Sequence, residues 1–213
     1  RLCDAITTEF ENVPAPALRE LAKSCPVAPA ADCVAVAQDR LLEKVHFIQC
    51  APISGVFPAP FAGIASTEQL AEAGDELLPG ILKTARMGYD GKGQVRVKTR
   101  AELAAAWAEL GSVACVLEKL MPLQSECSVL VARGADGQTV CFPVQANRHH
   151  DGILAITEVF DGAVPPELAQ RAQASTVAVA HHLNYVGVLC VEYFLVDNGQ
   201  GGVGALELAE VEL

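Results

Sequence analysis

Residues 80–98 constrain the fold more than any other stretch. Gly80-Ile-Leu-Lys-Thr84 has the length and composition of a strand, and Gln94-Val-Arg-Val-Lys98 alternates with period two, so both are predicted strands. The connection between them, Met87 to Gly93, holds three glycines within six positions, Gly88, Gly91 and Gly93. Such a loop lets backbone N–H groups approach an anion closely. Lys83 and Arg86 stand at its base and Lys92 near its tip. The lysine spacing is not that of a Walker loop, a strand rather than a helix follows, and the dinucleotide G-x-G-x-x-G is absent. The loop alone is compatible with a solvated hairpin or a phosphate-binding loop, and Lys83 on the strand favours the second.

Around this hairpin the chain reads as a small α+β unit. Ser66 with Gln69 resembles a capping box and opens a helix to about Ala73. Thr99 with Glu102 is a second, opening a helix over Ala101–Leu110, and Gly111 suits the position after its end. Ala114–Glu118 is a predicted strand. Before this unit, Asp4–Thr8 reads as a strand, 16–23 as a short helix, 24–33 as a connection and Val36–Ile48 as an amphipathic helix. Pro52, Pro58 and Pro60 then predict an extended linker over 51–61. After it, Ser128–Ala132 and Thr139–Gln145 are strands joined across Asp136-Gly137, a hairpin signal. Ile153–Val159 is another strand, Glu167–Leu183 a long helix behind Pro165 and Pro166, and Val186–Val196 a long apolar strand. Ala205–Leu213 is a final extended segment.

Composition excludes several classes of function. Lys and Arg number 15 against 26 Asp and Glu, a formal net charge of −11, which argues against a broad nucleic-acid or anionic-membrane surface. Hydrophobic residues make up 51%, enough for real cores, yet no apolar run reaches the roughly 18 residues of a membrane span. The eight cysteines form no C-x-x-C pair, and Cys115, Cys127, Cys141 and Cys190 sit in apolar runs. They are expected to be reduced, buried thiols of a cytoplasmic protein. The chain opens at Arg1 without methionine or a signal-type segment, so its natural start is expected upstream.

Three further groups of residues can carry chemistry. Glu118-Lys-Leu-Met121, followed by Glu126, ends a strand in an apolar linker with two acids, suited to a purine and its ribose or to surface salt bridges. Asn147-Arg-His-His150 with Asp151 suggests metal binding or acid–base chemistry, although its spacing fits no zinc site. His181 and His182 near a helix end are read as partners of that end. Glu192 lies in an apolar strand with Glu207 in the next extended segment. Two such acids are satisfied by Lys or Arg, or hold Mg²⁺ between nucleotide phosphates.

Taken in order, these stretches resemble the ATP-grasp enzymes, and among them the N5-carboxyaminoimidazole ribonucleotide synthases of purine biosynthesis. The residues that carry the resemblance are Thr8-Glu-Phe-Glu-Asn-Val-Pro14, Gln38-Asp-Arg40, Pro58-Ala-Pro-Phe61, Leu82-Lys-Thr84 and Gly88-Tyr-Asp-Gly-Lys-Gly-Gln94. Glu118 with Glu126 and Ser128, Asn147-x-His149 with Asp151-Gly-Ile-Leu154, and Tyr185–Leu189 with Val191-Glu192 complete it.

The resemblance implies an ATP-grasp fold of α/β and α+β parts. Residues 1–61 would be the remnant of a Rossmann-like N-terminal domain that is largely missing from this chain. Residues 62–120 would be a small lid domain, and 121–213 a larger antiparallel domain with an incomplete C-terminus. It implies ATP-dependent carboxylation of 5-aminoimidazole ribonucleotide by bicarbonate in a cytoplasmic homodimer, with ATP and Mg²⁺ bound and no nucleic acid or membrane as partner. Lys83 and Lys92 would be the catalytic cations, and Arg40 and Lys83 would contact the phosphates or adjoining base region. Gly88, Tyr89, Asp90, Gly91, Lys92, Gly93 and Gln94 would form the lid. Glu118, Lys119, Leu120 and Met121 would line the adenine, Glu126 would hold the ribose, and His149 would lie beside the nucleotide. Glu192 and Glu207 would bind Mg²⁺. Near the end the family has Asn-Glu followed by Ala-Pro-Arg; on this reading Leu206 stands for the Asn, Glu207 for the Glu and Glu210 for the Pro. Rival readings are another ATP-grasp carboxylase or transformylase, and a non-catalytic nucleotide-binding relative.

Overall fold

In the computed structural model, which describes residues 3–8, 10, 12–88, 92–150, 153–197 and 203–212, three helices lead into two sheets. Helices α1 (Ala15–Ala22) and α2 (Ala31–Ala37) pack around Leu18 and Val34. The predicted strand at Asp4–Thr8 is reduced to one parallel bridge, Ile6 to Val27. Pro26 and Pro29 on either side of Val27 have no N–H with which to extend it.

Helix α3 (Arg40–Ser54) departs from the predicted Val36–Ile48 at both ends. Asp39 interrupts the run because its carboxylate accepts from the Leu41 and Leu42 amides at 3.1 and 3.2 Å, an N-cap that places Arg40 in the first turn. At the other end Pro52 stays within the helix instead of starting a linker. It lies in the last turn, where the buried Cys50 and Ala51 hold the chain on the core, and Gly55 at φ +69° closes the helix. Strand β1 (Phe57–Pro58) follows.

The small sheet joins β2 (Phe61–Ile64), β3 (Gly80–Thr84), β4 (Gln94–Val97) and β5 (Cys115–Lys119) in the order β2-β5-β3-β4, antiparallel throughout. Helix α4 (Thr67–Glu72) begins at the predicted Ser66 cap. Helix α5 (Arg100–Glu109) begins at Thr99, whose hydroxyl accepts from the Glu102 amide, while the Glu102 carboxylate accepts from the Lys98 amide at 2.7 Å. Alternation along the strands sends Leu82, Val97 and Leu117 to one face, against Leu103, Ala106 and Trp107 of α5. Ile81, Lys83, Gln94, Arg96 and Glu118 share the other face, since Lys83 is paired with Gln94, and Ile81 with Arg96 and Glu118.

The seven-stranded sheet contains β6 (Leu123–Arg133), β7 (Thr139–Cys141), β8 (Gln145–His150), β9 (Ile153–Glu158), β10 (Gly187–Asp197) and β11 (Val203–Glu212). Its order is β1-β11-β10-β6-β8-β9, with β7 beside β6. The single strand expected over Thr139–Gln145 is divided at Phe142–Val144, where Pro143 cannot donate to a ladder. Helix α6 (Pro166–His182) covers one face, over a core that includes Val129, Val131, Val191, Tyr193 and Leu208. Tyr193 is fully buried, and its hydroxyl donates to Ala172 O at 3.1 Å and meets Thr176 Oγ1 at 2.7 Å.

Candidate active site between the two sheets

The uncovered faces of the two sheets enclose a cleft of about 270 Å³. Ile81, Lys83, Gln94, Arg96 and Glu118 form one wall. The segment Lys119–Met121 with Leu123 forms the floor, and Glu126, His149, Glu192, Phe194, Ala209 and Glu210 form the other wall. Register explains that second wall. Glu192 stands opposite Glu210 on β11 and opposite Ser128 on β6, and Ser128 opposite Gln145 on β8. In the next row Phe194 stands opposite Glu207 and Glu126, and Glu126 opposite Asn147. Directly opposed residues point to the same side of a sheet, so one polar face runs across four strands. A more open hollow of about 600 Å³ beside β1 and β2 includes Glu72 and Glu76 but no cation among its described lining residues.

The densest charge lies at the base of the first wall. Glu118 is buried, with Lys44 Nζ 3.5 Å from one oxygen and Lys83 Nζ 3.2 Å from the other. Burial alone would raise its pKa, but Lys44 and Lys83 outweigh burial and hold it at about 2. The carboxylate therefore stays ionised and draws Lys83 along the cleft wall. Arg40 lies just behind, its Nη1 2.5 Å from Glu210 Oε1, while its amide donates to Ala85 O. Across the cleft His149 Nδ1 lies 3.2 Å from Glu126 Oε2. Burial pushes the Glu126 carboxyl up, and His149 offsets part of that. Asn147 donates to Ser128 and accepts from Thr157, which secures β8 beneath His149.

The structure thus brings together Lys83, Gln94, Glu118, Lys119, Leu120, Met121, Glu126, His149 and Glu192. Gly88 and Gly93 both lie against Thr84. Gly93 has φ +72°, and a Cβ there would lie 2.7 Å from Thr84 Oγ1. Tyr89, Asp90 and Gly91 lie outside the described residues, as does Asp151. The amides of Lys119 and Leu120 donate to Pro60 O and Pro79 O, both at 2.9 Å, so these two N–H groups are already engaged within the protein.

Register puts two acids of β11 on the cleft side: Glu207 is opposite Phe194 and Glu210 is opposite Glu192, and Glu210 also contributes to the cleft lining. A bulge brings both to one face: Glu192 and Tyr193 are consecutive, but their partners are Glu210 and Leu208, so Ala209 is an extra residue. Counting along the sequence could not reveal that shift. Glu207 Oε2 is buried without a hydrogen-bond partner among the described residues, and burial pushes its pKa up. The sequence reading also missed Arg96, although its alternation with Gln94 signalled a shared face.

Two sheets facing across a cation-lined cleft agree with the comparisons. The family model described as the ATP-grasp domain matches residues 51–210. The chain belongs to the ATP-grasp family. A second model, the ribonucleotide synthetase preATP-grasp domain, matches residues 1–38. The N5-carboxyaminoimidazole ribonucleotide synthase of Pseudomonas aeruginosa is 39% identical over 207 residues, covering 97% of this chain and 55% of the relative. The crystal structure of N5-carboxyaminoimidazole ribonucleotide synthetase from Thermus thermophilus superposes with a TM-score of 0.83 at 35% identity, covering 99% of this chain and 54% of that one. The N5-carboxyaminoimidazole synthetase of Staphylococcus aureus complexed with ADP gives 0.84 at 30% identity, covering 98% and 53%. The chain spans about half the length of the relatives it matches. Among the described residues, no helix is long and apolar enough to cross a membrane.

Proposed function

We propose that the protein carrying this chain joins bicarbonate to 5-aminoimidazole ribonucleotide, converting ATP to ADP and phosphate. The observation that carries the reading is the cleft itself, with cations on one wall and carboxylates on the other, in a chain whose relatives bear that enzyme's name. Phosphoryl transfer asks the protein mainly for positioning and charge neutralisation. Lys83, Arg96 and Arg40 supply positive charge along the phosphates. Ile81, Leu123, Met121 and Phe194 supply apolar surface for the base, and the Met121 amide, which has no acceptor among the described residues, is left for its edge. Glu126, oriented by His149, accepts from the ribose hydroxyls. Gly88, Lys92, Gly93 and Gln94 carry the loop that covers the phosphates and keeps water from a labile carboxylating intermediate.

Glu192 and Glu207, on one face of neighbouring strands, suit Mg²⁺, which takes one or two carboxylates together with phosphate oxygens, and Glu210 on the same face is held by Arg40. Among the described residues no cluster of three or more His, Cys, Asp and Glu side chains is available to hold a metal alone, so the nucleotide completes the donor set. When bound, Mg²⁺ neutralises developing phosphate charge. The protein is read as a cytoplasmic homodimer. ATP hydrolysis by the full-length protein, measured with and without aminoimidazole ribonucleotide in bicarbonate buffer, tests the proposal. Strong dependence on the ribonucleotide is expected. Nucleotide binding with no turnover under either condition would favour the non-catalytic reading.

A further inference from the structure

Glu43 and Lys44 are consecutive residues of α3, and both are 1% exposed. No step of the reaction above uses either of them. Burying two adjacent ionisable side chains is costly unless each is satisfied. Their partners lie in one place. Glu43 Oε1 accepts from the Val211 amide at 2.6 Å, and Lys44 Nζ donates to Ala209 O at 2.9 Å. These two backbone groups flank Glu210. Strand β1 pairs with β11 at Glu207 and Leu208, and among the described residues no strand lies beside the outer edge of β11 beyond Leu208. The two side chains continue the edge where β1 stops, and they do so beside the bulge at Ala209.

We propose that Glu43 and Lys44 are positioning residues. They clamp the bulged edge of β11 and thereby hold Glu207 and Glu210 on the face that carries Glu192, beside the metal–nucleotide complex. Lys44 extends the same role to the other wall, since it also pairs with Glu118, the partner of Lys83. The inference rests on the metal reading of Glu192 and Glu207 for its purpose and on the α3–β11 contacts for its geometry.

The test uses the full-length protein with Glu43→Leu, Glu43→Gln and Lys44→Met. Amide exchange at Val211 reads the clamp, and Mn²⁺ uptake in the presence of ADP, followed by electron paramagnetic resonance, reads the metal site. Glu43→Leu is expected to speed Val211 exchange and to weaken Mn²⁺ uptake by roughly tenfold or more, as loss of a group that orients a ligand does. ADP binding without metal should change less than about twofold, well under the tenfold that 1.4 kcal/mol represents. Glu43→Gln keeps a carbonyl oxygen for the Val211 amide and should restore both readouts. Lys44→Met should weaken Mn²⁺ uptake likewise; should it not fold, the two Glu43 variants still decide. Unchanged Mn²⁺ uptake in Glu43→Leu, or equal damage in Glu43→Gln and Glu43→Leu, overturns the positioning role. Absence of ADP-dependent Mn²⁺ uptake in the parent protein overturns the metal reading instead, and Val211 exchange then decides the clamp on its own.

Discussion

Lys83 and Glu118 form a pair, but their removal has different consequences. Lys83→Ala leaves Glu118 with Lys44 as a partner, so the fold keeps a compensated charge. The variant should melt close to the parent, yet lose about 1.5–3 kcal/mol of ATP binding, the range of one charge-assisted contact. Isothermal titration with ATP checks it, and parental affinity would remove Lys83 from the phosphate site. Glu118→Ala instead leaves Lys44, 1% exposed, without its carboxylate. Breaking a buried pair from one side costs about 3–5 kcal/mol, so urea unfolding should show a lower midpoint with little change in slope. Gly93→Ala meets both a positive φ and Thr84 Oγ1 at 2.7 Å. It should destabilise the hairpin by about 1–3 kcal/mol, and Thr84→Ser, which retains Oγ1 in the same place, should not rescue it.

At the scale of elements, α3 and α6 meet through two histidine rings. The centroids of His46 and His182 are 4.6 Å apart, with Nδ1 of His182 3.4 Å from Nε2 of His46. Burial first, and then His182, push His46 down to about 4. Between an unfolded value near 6.5 and that folded value, the unfolded chain takes up a proton that the folded chain does not. Stability from His46 is therefore lost as pH falls through this window, by on the order of 3 kcal/mol at most. Glu43 acts in the opposite sense. Burial and Glu210 raise it to about 8, so its contribution improves as pH falls from about 8 towards 4.5. A simple pH–melting curve mixes the two, whereas the difference between parent and His46→Gln isolates the histidine. The parent should lose more stability than His46→Gln between about pH 7 and about pH 5. Parallel curves for the two proteins would contradict the helix–helix assignment.

For the whole molecule, the cleft joins two sheets with separate cores, one behind β3–β5 and one beneath α6. A ligand held by both walls stabilises the folded state by mass action, about 2.7 kcal/mol at a hundredfold excess over its dissociation constant. Mg²⁺ with ADP should raise the melting temperature of the full-length protein more than ADP with a chelator. Glu207→Gln should abolish that difference, while Glu210→Gln, which removes a partner of Arg40, should largely preserve it. The reverse result would move the second metal carboxylate to Glu210. The same cores bury Cys33, Cys50, Cys115 and Cys127, and burial raises each of these thiols. All four should resist alkylation in the native protein and react after unfolding.

Local chemistry was legible in the sequence wherever a few neighbouring residues decide the outcome. The caps at Ser66 and Thr99, the turn at Asp136-Gly137 and the alternation of Gln94-Val-Arg-Val-Lys98 reappear in the structure because each involves contacts within a few positions. The order of motifs likewise pointed to the ATP-grasp family before any contact was known. Packing decided what local rules contradict: Asp39 divides a continuous apolar pattern, and Pro52 remains helical because the residues before it are held in the core. That Glu207 and Glu210 share one face needed the register of β11 against β10, and the pairing of Glu210 with Arg40 spans 170 residues of chain. One extra residue at Ala209 shifts the positions that follow it relative to the partner strand, and side-chain direction otherwise alternates with every residue, so spacing along the chain alone would put these two acids on opposite faces. The partners of Glu43 and Lys44 are hidden for the same reason, because a buried charge is explained only by the distant backbone groups that folding brings to it.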